Sequence, residues 1–303
     1  MKELCERVAD EVGKVVVGRR EAVETVMAAV ALGGHVLLEG VPGVAKTLLA
    51  DATARALGVE FRRVQFTPDM LPSDITGTVA LRAGELRFQP GPVFANVLLA
   101  DEVNRTPPKT QAALLEAMQE GQVTVDGESH PLPDPFLVLA TQNPVEYEGT
   151  YPLPEAQVDR FMVRLSMGYP NAADEAGMLA GHEDGDRVLE LGPVTDRTEV
   201  LETIETAHRV HASRALRDYI VALSRHTRAD ARVELGASPR AGLMLLRAAK
   251  ARALLEGRDH ALPDDVQALA ETVLAHRIML VPEAAGVERR QIVADAVAST
   301  PAL

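Results

Sequence analysis

An α/β fold, with a central parallel sheet flanked by helices and a wholly helical domain after it, is what this sequence predicts, on three observations. Apolar runs of strand length alternate with helical patterns as far as Leu165, and runs that are apolar throughout suit strands covered on both faces. A glycine-rich stretch, Gly40-Val41-Pro42-Gly43-Val44-Ala45-Lys46-Thr47, separates the first such run, Val36-Leu37-Leu38, from a helical pattern that begins Leu48-Leu49-Ala50. Beyond Tyr169-Pro170 the strand signals largely stop, apart from a short apolar stretch near Val188 to Leu191, and helical periodicity takes over. The expected division is an α/β core over 1–185 and a helical domain over 186–303, with Asp184-Gly185-Asp186 and Gly192-Pro193 as the linker.

The glycine-rich turn carries the first chemical signal. Between a buried strand and a helix it aims several backbone N–H groups and the positive end of the helix dipole at one spot, which suits a polyphosphate. Lys46 is then expected to reach the β- and γ-phosphates and the Thr47 hydroxyl to bind Mg²⁺, with Leu48 completing the lining. Where the phosphate-loop pattern has a second glycine this chain has Ala45, and its methyl group predicts a negative φ at that residue.

Along the chain, residues 3–14 and 20–33 read as helices. Between them, Val15-Val16-Val17-Gly18-Arg19 either lines an adenine pocket with Val17 and Gly18 or is simply a buried turn. The helix from Thr47 to Leu57 has Gly58 as its C-terminal cap, and a second strand covers Phe61 to Phe66. Two hairpins interrupt the alternation: 77–81 with 85–88 around Arg82-Ala83-Gly84, and 123–125 with 129–132 around Asp126-Gly127. Insertions of this kind tend to carry function. The third core strand, Val97 to Ala100, delivers Asp101-Glu102 at its carboxyl end. The fourth, Phe136 to Ala140, runs into Thr141-Gln142-Asn143-Pro144, and Met162 to Leu165 is the last. Helices are expected at roughly 172–181, 196–208, 214–226, 238–256, 263–276 and 286–298.

Two adjacent carboxylates after an apolar run rarely serve packing. Beside a phosphate loop, Asp101 takes the metal side and Glu102 polarises an attacking water. Asn143 can orient water against a γ-phosphate, although Asn before Pro is also an everyday turn residue. Arg160 is either held out to a neighbouring subunit or paired with Asp159 or Glu155; taken alone, the ion pair is the simpler reading. Ser238-Pro239-Arg240 opens a helix with Ser as N-cap and Pro in the first turn. A cation so near the positive end of the dipole is explained by an external anion such as a nucleotide phosphate, or else it faces solvent. His208 and His211 share a helix face without a Cys or carboxylate partner at metal spacing, and read as structural.

Composition narrows the classes. With 47% hydrophobic and 25% charged residues in 303, the chain is ordinary for a globular protein, and no apolar run approaches the roughly eighteen residues a bilayer needs. The charged N-terminus has no hydrophobic signal core, and the single cysteine, Cys5, excludes an intrachain disulfide, which fits a reducing cytoplasm. A net charge of −13 argues against nucleic acid as a partner. The absence of Trp and 3% aromatic content leave few platforms for stacking bases.

Taken together and in order, the phosphate loop, Asp101-Glu102, Asn143, Arg160 and Arg240 resemble the constellation of an AAA+ ATPase. The runs G-V-P-G-V-A-K-T, D-E-V-N-R-T-P-P-K-T-Q at 101–111, A-T-Q-N-P at 140–144, L-P-E-A-Q-V-D-R-F at 153–161 and G-A-S-P-R at 236–240 are similar, within that class, to the MoxR family. The resemblance implies a P-loop NTPase core with a C-terminal all-α lid, and ATP with Mg²⁺ as ligands. Lys46 and Thr47 match Walker A, Asp101 and Glu102 match Walker B, and Asn143 matches sensor 1. Arg160 matches an arginine finger acting across a subunit boundary, and Arg240 matches sensor 2. The hairpins near 77–88 and 122–132 match the helix-2 insert and pre-sensor hairpin of the clade that includes magnesium-chelatase ATPase subunits. It further implies a homo-oligomeric ring, usually hexameric, acting as a chaperone in protein maturation or metal-centre assembly, often with a von Willebrand factor A domain partner. A nucleic-acid motor of the same fold and a nucleotide-gated scaffold are the alternatives.

Overall fold

The computed structural model describes residues 1–41, 43–82, 84–142, 150–182, 190–284 and 286–302. Helices α1 (Lys2–Gly13) and α2 (Arg20–Ala31) precede β1 (Val36–Glu39), and α3 (Lys46–Leu57) leads to β2 (Phe61–Gln65). A short helix α4 (Pro72–Thr76) and the hairpin of β3 (Gly77–Arg82) and β4 (Glu85–Pro90) come before β5 (Val97–Asp101). Next are α5 (Pro108–Glu120), the hairpin of β6 (Gln122–Val125) and β7 (Glu128–Pro131), then β8 (Leu137–Gln142), α6 (Glu155–Val158) and β9 (Val163–Ser166). The helical half holds α7 (Ala172–His182), α8 (Arg197–Arg209), α9 (Arg214–Ala229), α10 (Pro239–Leu255), α11 (Pro263–Leu274) and α12 (Arg289–Ser299).

The five core strands form one parallel sheet in the order β2-β5-β8-β1-β9. Because strand side chains alternate between faces, the apolar runs split cleanly. Val36, Leu38, Val97, Leu99, Leu137 and Leu139 join α1, α2 and α3 in one apolar cluster, which continues into the helical half through Leu216, Ala241 and Leu245. Leu37, Leu98, Ala100, Val138 and Ala140 face the other way, onto Leu114, Leu115 and Met118 of α5. Both faces are covered, so the strands read as continuous rather than alternating hydrophobic runs.

Among the helical segments, α8 and α10 pack on α2, which seats the second half against the first. A short antiparallel pair, β10 (Val233–Leu235) with β11 (Met279–Leu280), was not expected from sequence; two or three residues are too few to show a period. The boundary expected between 185 and 186 falls in a stretch outside the described residues. No helix among the described residues is long and apolar enough to cross a membrane.

Candidate functional site: a phosphate loop facing two carboxylates

The chain leaves β1 at Glu39 and turns through 40–45 into α3. Gly40 is required there by space: a Cβ on it would stand 2.4 Å from the Met167 carbonyl oxygen, on the segment whose Met167 N–H is bonded to Glu39 O at 2.6 Å. Gly43 has φ +85° and Ala45 φ +64°, ψ +27°. The negative φ expected at Ala45 is therefore wrong. Left-handed residues at 43 and 45 are what a loop needs to turn its N–H groups towards one anion, and that turn overrides the preference of an L-residue, at a cost of about 1–2 kcal/mol. The first α3 hydrogen bond runs from Leu49 N–H to Ala45 O at 2.9 Å. The N–H groups of Thr47 and Leu48 lie in the first turn of α3, where helix N–H groups have no intrahelical acceptor and the dipole is positive.

Lys46 Nζ donates to Gly40 O, folding the lysine over its own loop. The Val17-Gly18 turn reaches the same neighbourhood through the segment after β9. Arg19 donates to Gly168 O, one residue from the Met167 carbonyl that crowds Gly40. Val16 is buried, and Val41 and Leu48 pack against the same cluster. Pro42 and Asn143 lie outside the described residues.

At the same carboxyl end of the parallel sheet, β5 ends in Asp101, two strand positions from β1, or ~10 Å at the usual spacing. Asp101 Oδ1 accepts the Thr141 hydroxyl at 2.6 Å, and Oδ2 accepts Arg63 Nη2 at 2.6 Å and Nε at 3.1 Å. Glu102, with φ +57°, is turned out of the strand. Its N–H donates to Thr141 Oγ1 at 2.8 Å, and its Oε2 accepts Gln65 Nε2 at 2.5 Å and Arg105 Nη1 at 2.9 Å. The left-handed backbone at Glu102 is the second such residue at this end of the sheet, and strain of this kind persists only where the surroundings fix it. Thr47 and Asp101 offer hard oxygen donors, the set that suits Mg²⁺, and the Asp101 oxygens retain lone-pair capacity beyond the bonds above.

Arg160 follows α6, and its Nε donates to Gln119 Oε1 of α5 at 3.0 Å. It is not paired with Asp159, as the simpler sequence reading had it, because that carboxylate is taken by Arg277 at 2.7 Å. The Glu155 side chain lies outside the described residues. Arg240 sits in the first turn of α10, partly buried rather than free in solvent, behind a Ser238 N-cap that accepts the Ala241 N–H at 3.1 Å.

Sequence reasoning missed Arg63, Gln65, Thr141, Gln119 and Arg277. Of these only Thr141 lay within a run singled out beforehand. Arg63 and Gln65 share one face of β2, and β2 proves to be the strand beside β5, which no local pattern announces.

Comparison with known proteins identifies the family. Residues 35–163 match the ATPase family associated with various cellular activities (AAA), and residues 225–296 match the AAA lid domain. The Bacillus subtilis protein YeaC is 48% identical over 296 residues, spanning 96% of this chain and 92% of that protein. The Mycobacterium tuberculosis protein named chaperone MoxR1 is 44% identical, over 98% of this chain and 82% of its own length. A crystal structure of a candidate ATPase from Cytophaga hutchinsonii superposes with a TM-score of 0.93 at 43% identity, covering all of this chain and 96% of the other. The chain belongs to the MoxR family of AAA+ chaperone-like ATPases.

Proposed function

We propose that this protein hydrolyses ATP at the 40–48 loop and uses the cycle to remodel client proteins, as a hexameric ring in the cytoplasm that serves protein maturation or metal-centre assembly with a von Willebrand factor A domain partner. The observation that supports it most is that a loop with left-handed residues and the Asp101-Glu102 pair both follow strands at the same carboxyl end of the parallel sheet. The N–H groups at 43–48 and Lys46 bind the phosphates, and Val17 and Gly18 border the base. Mg²⁺, held by Thr47 and Asp101, neutralises phosphate charge when bound. Glu102 accepts a proton from water, with Gln65 and Arg105 fixing one of its oxygens so that the carboxylate points steadily. Asn143 orients that water, and Arg240 contacts phosphate from the lid. Arg160 is offered to the neighbouring protomer's site. The first hairpin carries Leu81 and Leu86 facing each other at 70% and 73% exposure, an apolar pair available to an unfolded client. The division into a core over 1–185 and a lid over 186–303 belongs to the same reading.

The test is Glu102→Gln. It should bind a fluorescent ATP analogue as the parent does and release no phosphate. Phosphate release at the parent rate would take Glu102 out of the mechanism, and loss of nucleotide binding would show the pair serving the fold instead.

A further inference from the structure

Arg277 is a charged side chain with 1% exposure, lying after α11 in the helical half. Burial pushes its pKa down, and the charge of Arg240 adds to the effect. Its guanidinium donates to Asp159 Oδ1 at 2.7 Å, to Asp159 O at 3.2 Å, to Met162 O at 3.3 Å, and to the carbonyls of Phe161 and Val273. Three of those backbone acceptors belong to residues 159, 161 and 162, the turn whose remaining member is Arg160. The N–H side of that turn is fixed as well: Arg160 N–H goes to Gln157 O at 3.1 Å, Phe161 N–H to Val158 O at 3.1 Å and Met162 N–H to His35 O at 2.8 Å. The Asp159 carboxylate, 21% exposed, also accepts the Ser238 hydroxyl at 3.1 Å, at the start of the helix that carries Arg240.

Burying a charge is a poor way to gain stability, since well-packed apolar side chains of the same volume serve as well or better. What a planar five-donor fork supplies that no apolar residue does is geometry, several acceptors held in one fixed arrangement. Here that arrangement is the backbone of the Arg160 turn, held from the other half of the molecule.

We infer that Arg277, with Asp159, is a positioning residue for Arg160: the helical half clamps the turn from which Arg160 is presented, so that seating of the lid and presentation of the side chain to the next protomer are coupled. This rests on the reading of Arg160 as acting in trans on ATP. A clamp and a plain inter-domain tie differ in what they disturb. Loosening the clamp harms the protomer as a donor of Arg160 and spares it as an acceptor, whereas loosening a tie harms both alike.

The experiment uses mixed assemblies of the full chain. Subunits with Lys46→Ala cannot use nucleotide and serve only as donors to Arg160→Ala subunits, whose turnover they should restore. Adding Arg277→Lys to that donor keeps the charge but not the fork, and should cut the restored turnover about tenfold or more, as ~1 Å displacements of catalytic groups do. In the reciprocal mixture, Arg277→Lys subunits accept from Lys46→Ala subunits and should turn over within about threefold of parent subunits in the same mixture. Fluorescent-nucleotide binding checks the fold of the variants that keep Lys46, and thermal unfolding checks that of the Lys46→Ala donors. Should Arg277→Lys fail to fold, Asp159→Asn, which keeps the shape and drops the charge, carries the same comparison and should lose more as donor than as acceptor. Donation equal to that of the parent, or equal losses in both mixtures, overturns the clamp. No turnover in the parent, or parent-like turnover of Arg160→Ala alone, overturns the reading beneath it and the clamp with it.

Discussion

Thr141 donates its hydroxyl proton to Asp101 Oδ1 at 2.6 Å and, through the same oxygen, accepts the Glu102 N–H at 2.8 Å. One buried side chain from β8 thus sets both acidic residues at the end of β5. Thr141→Val keeps the shape and leaves an N–H and a carboxylate oxygen short of a partner, which should cost about 1–3 kcal/mol of stability. Turnover should fall with it, while Thr141→Ser recovers both. Urea unfolding and phosphate release read the two effects; a valine variant matching the parent in both would exclude the hydroxyl from the site.

The loop makes two opposite predictions about small side chains. At Gly40 an added methyl meets a backbone carbonyl at 2.4 Å, and Gly40→Ala should destabilise the protein and abolish nucleotide binding, since backbone cannot yield as a side-chain tip does. At Ala45, Gly removes left-handed strain of roughly 1–2 kcal/mol but adds unfolded-chain entropy of about 0.4–1 kcal/mol. Ala45→Gly should therefore be close to neutral and bind nucleotide, and Ala45→Val, β-branched in the same conformation, should do worse than either. Thermal melts with and without nucleotide distinguish the three.

What the sequence made legible was what is local. Glycines before Lys46, apolar runs of strand length and the Asp101-Glu102 ending are all read from neighbours in the chain, and the structure keeps them within a residue or two. Strand order was not legible, because it is decided by packing across the sheet, and so Arg63 and Gln65 could not be seen beside Asp101 and Glu102. The pairing of Arg160 with Asp159 failed for the same reason: that acid is claimed by Arg277, 118 residues further on. Ala45 failed the other way, a sound local preference overridden by what the turn has to do.

If Arg160 completes a neighbour's site, turnover per chain should rise with protein concentration across the assembly range and then level off. Arg160→Ala should lower the plateau by a factor of ~10³ or more, as an arginine finger is worth, without weakening nucleotide binding. Sedimentation at the same concentrations tells assembly from catalysis. A specific activity that does not vary while the protein assembles would assign the whole reaction to one chain.

Acid should destabilise this fold before the carboxylates titrate. His35 lies under the sheet with Nε2 at 3.0 Å from Met118 O and Nδ1 accepting the Val138 N–H at 3.0 Å, so its ring is held as the Nε2–H tautomer. Burial lowers its pKa to about 4 from the usual 6.5, and burial, with the Arg277 charge next, lowers His276 in the same direction. Both are neutral when folded and take up protons when unfolded. The unfolded chain therefore binds more protons below pH ~6.5, and stability falls as the pH drops from there towards 4, by about 3 kcal/mol for His35 at the lower limit. Above pH ~7 neither contributes a slope. Urea midpoints at pH 7 and pH 5 should differ in this sense, and His35→Gln, less stable at pH 7 for the lost fit, should show a smaller drop between the two. An undiminished drop in that variant would assign the acid sensitivity to other groups.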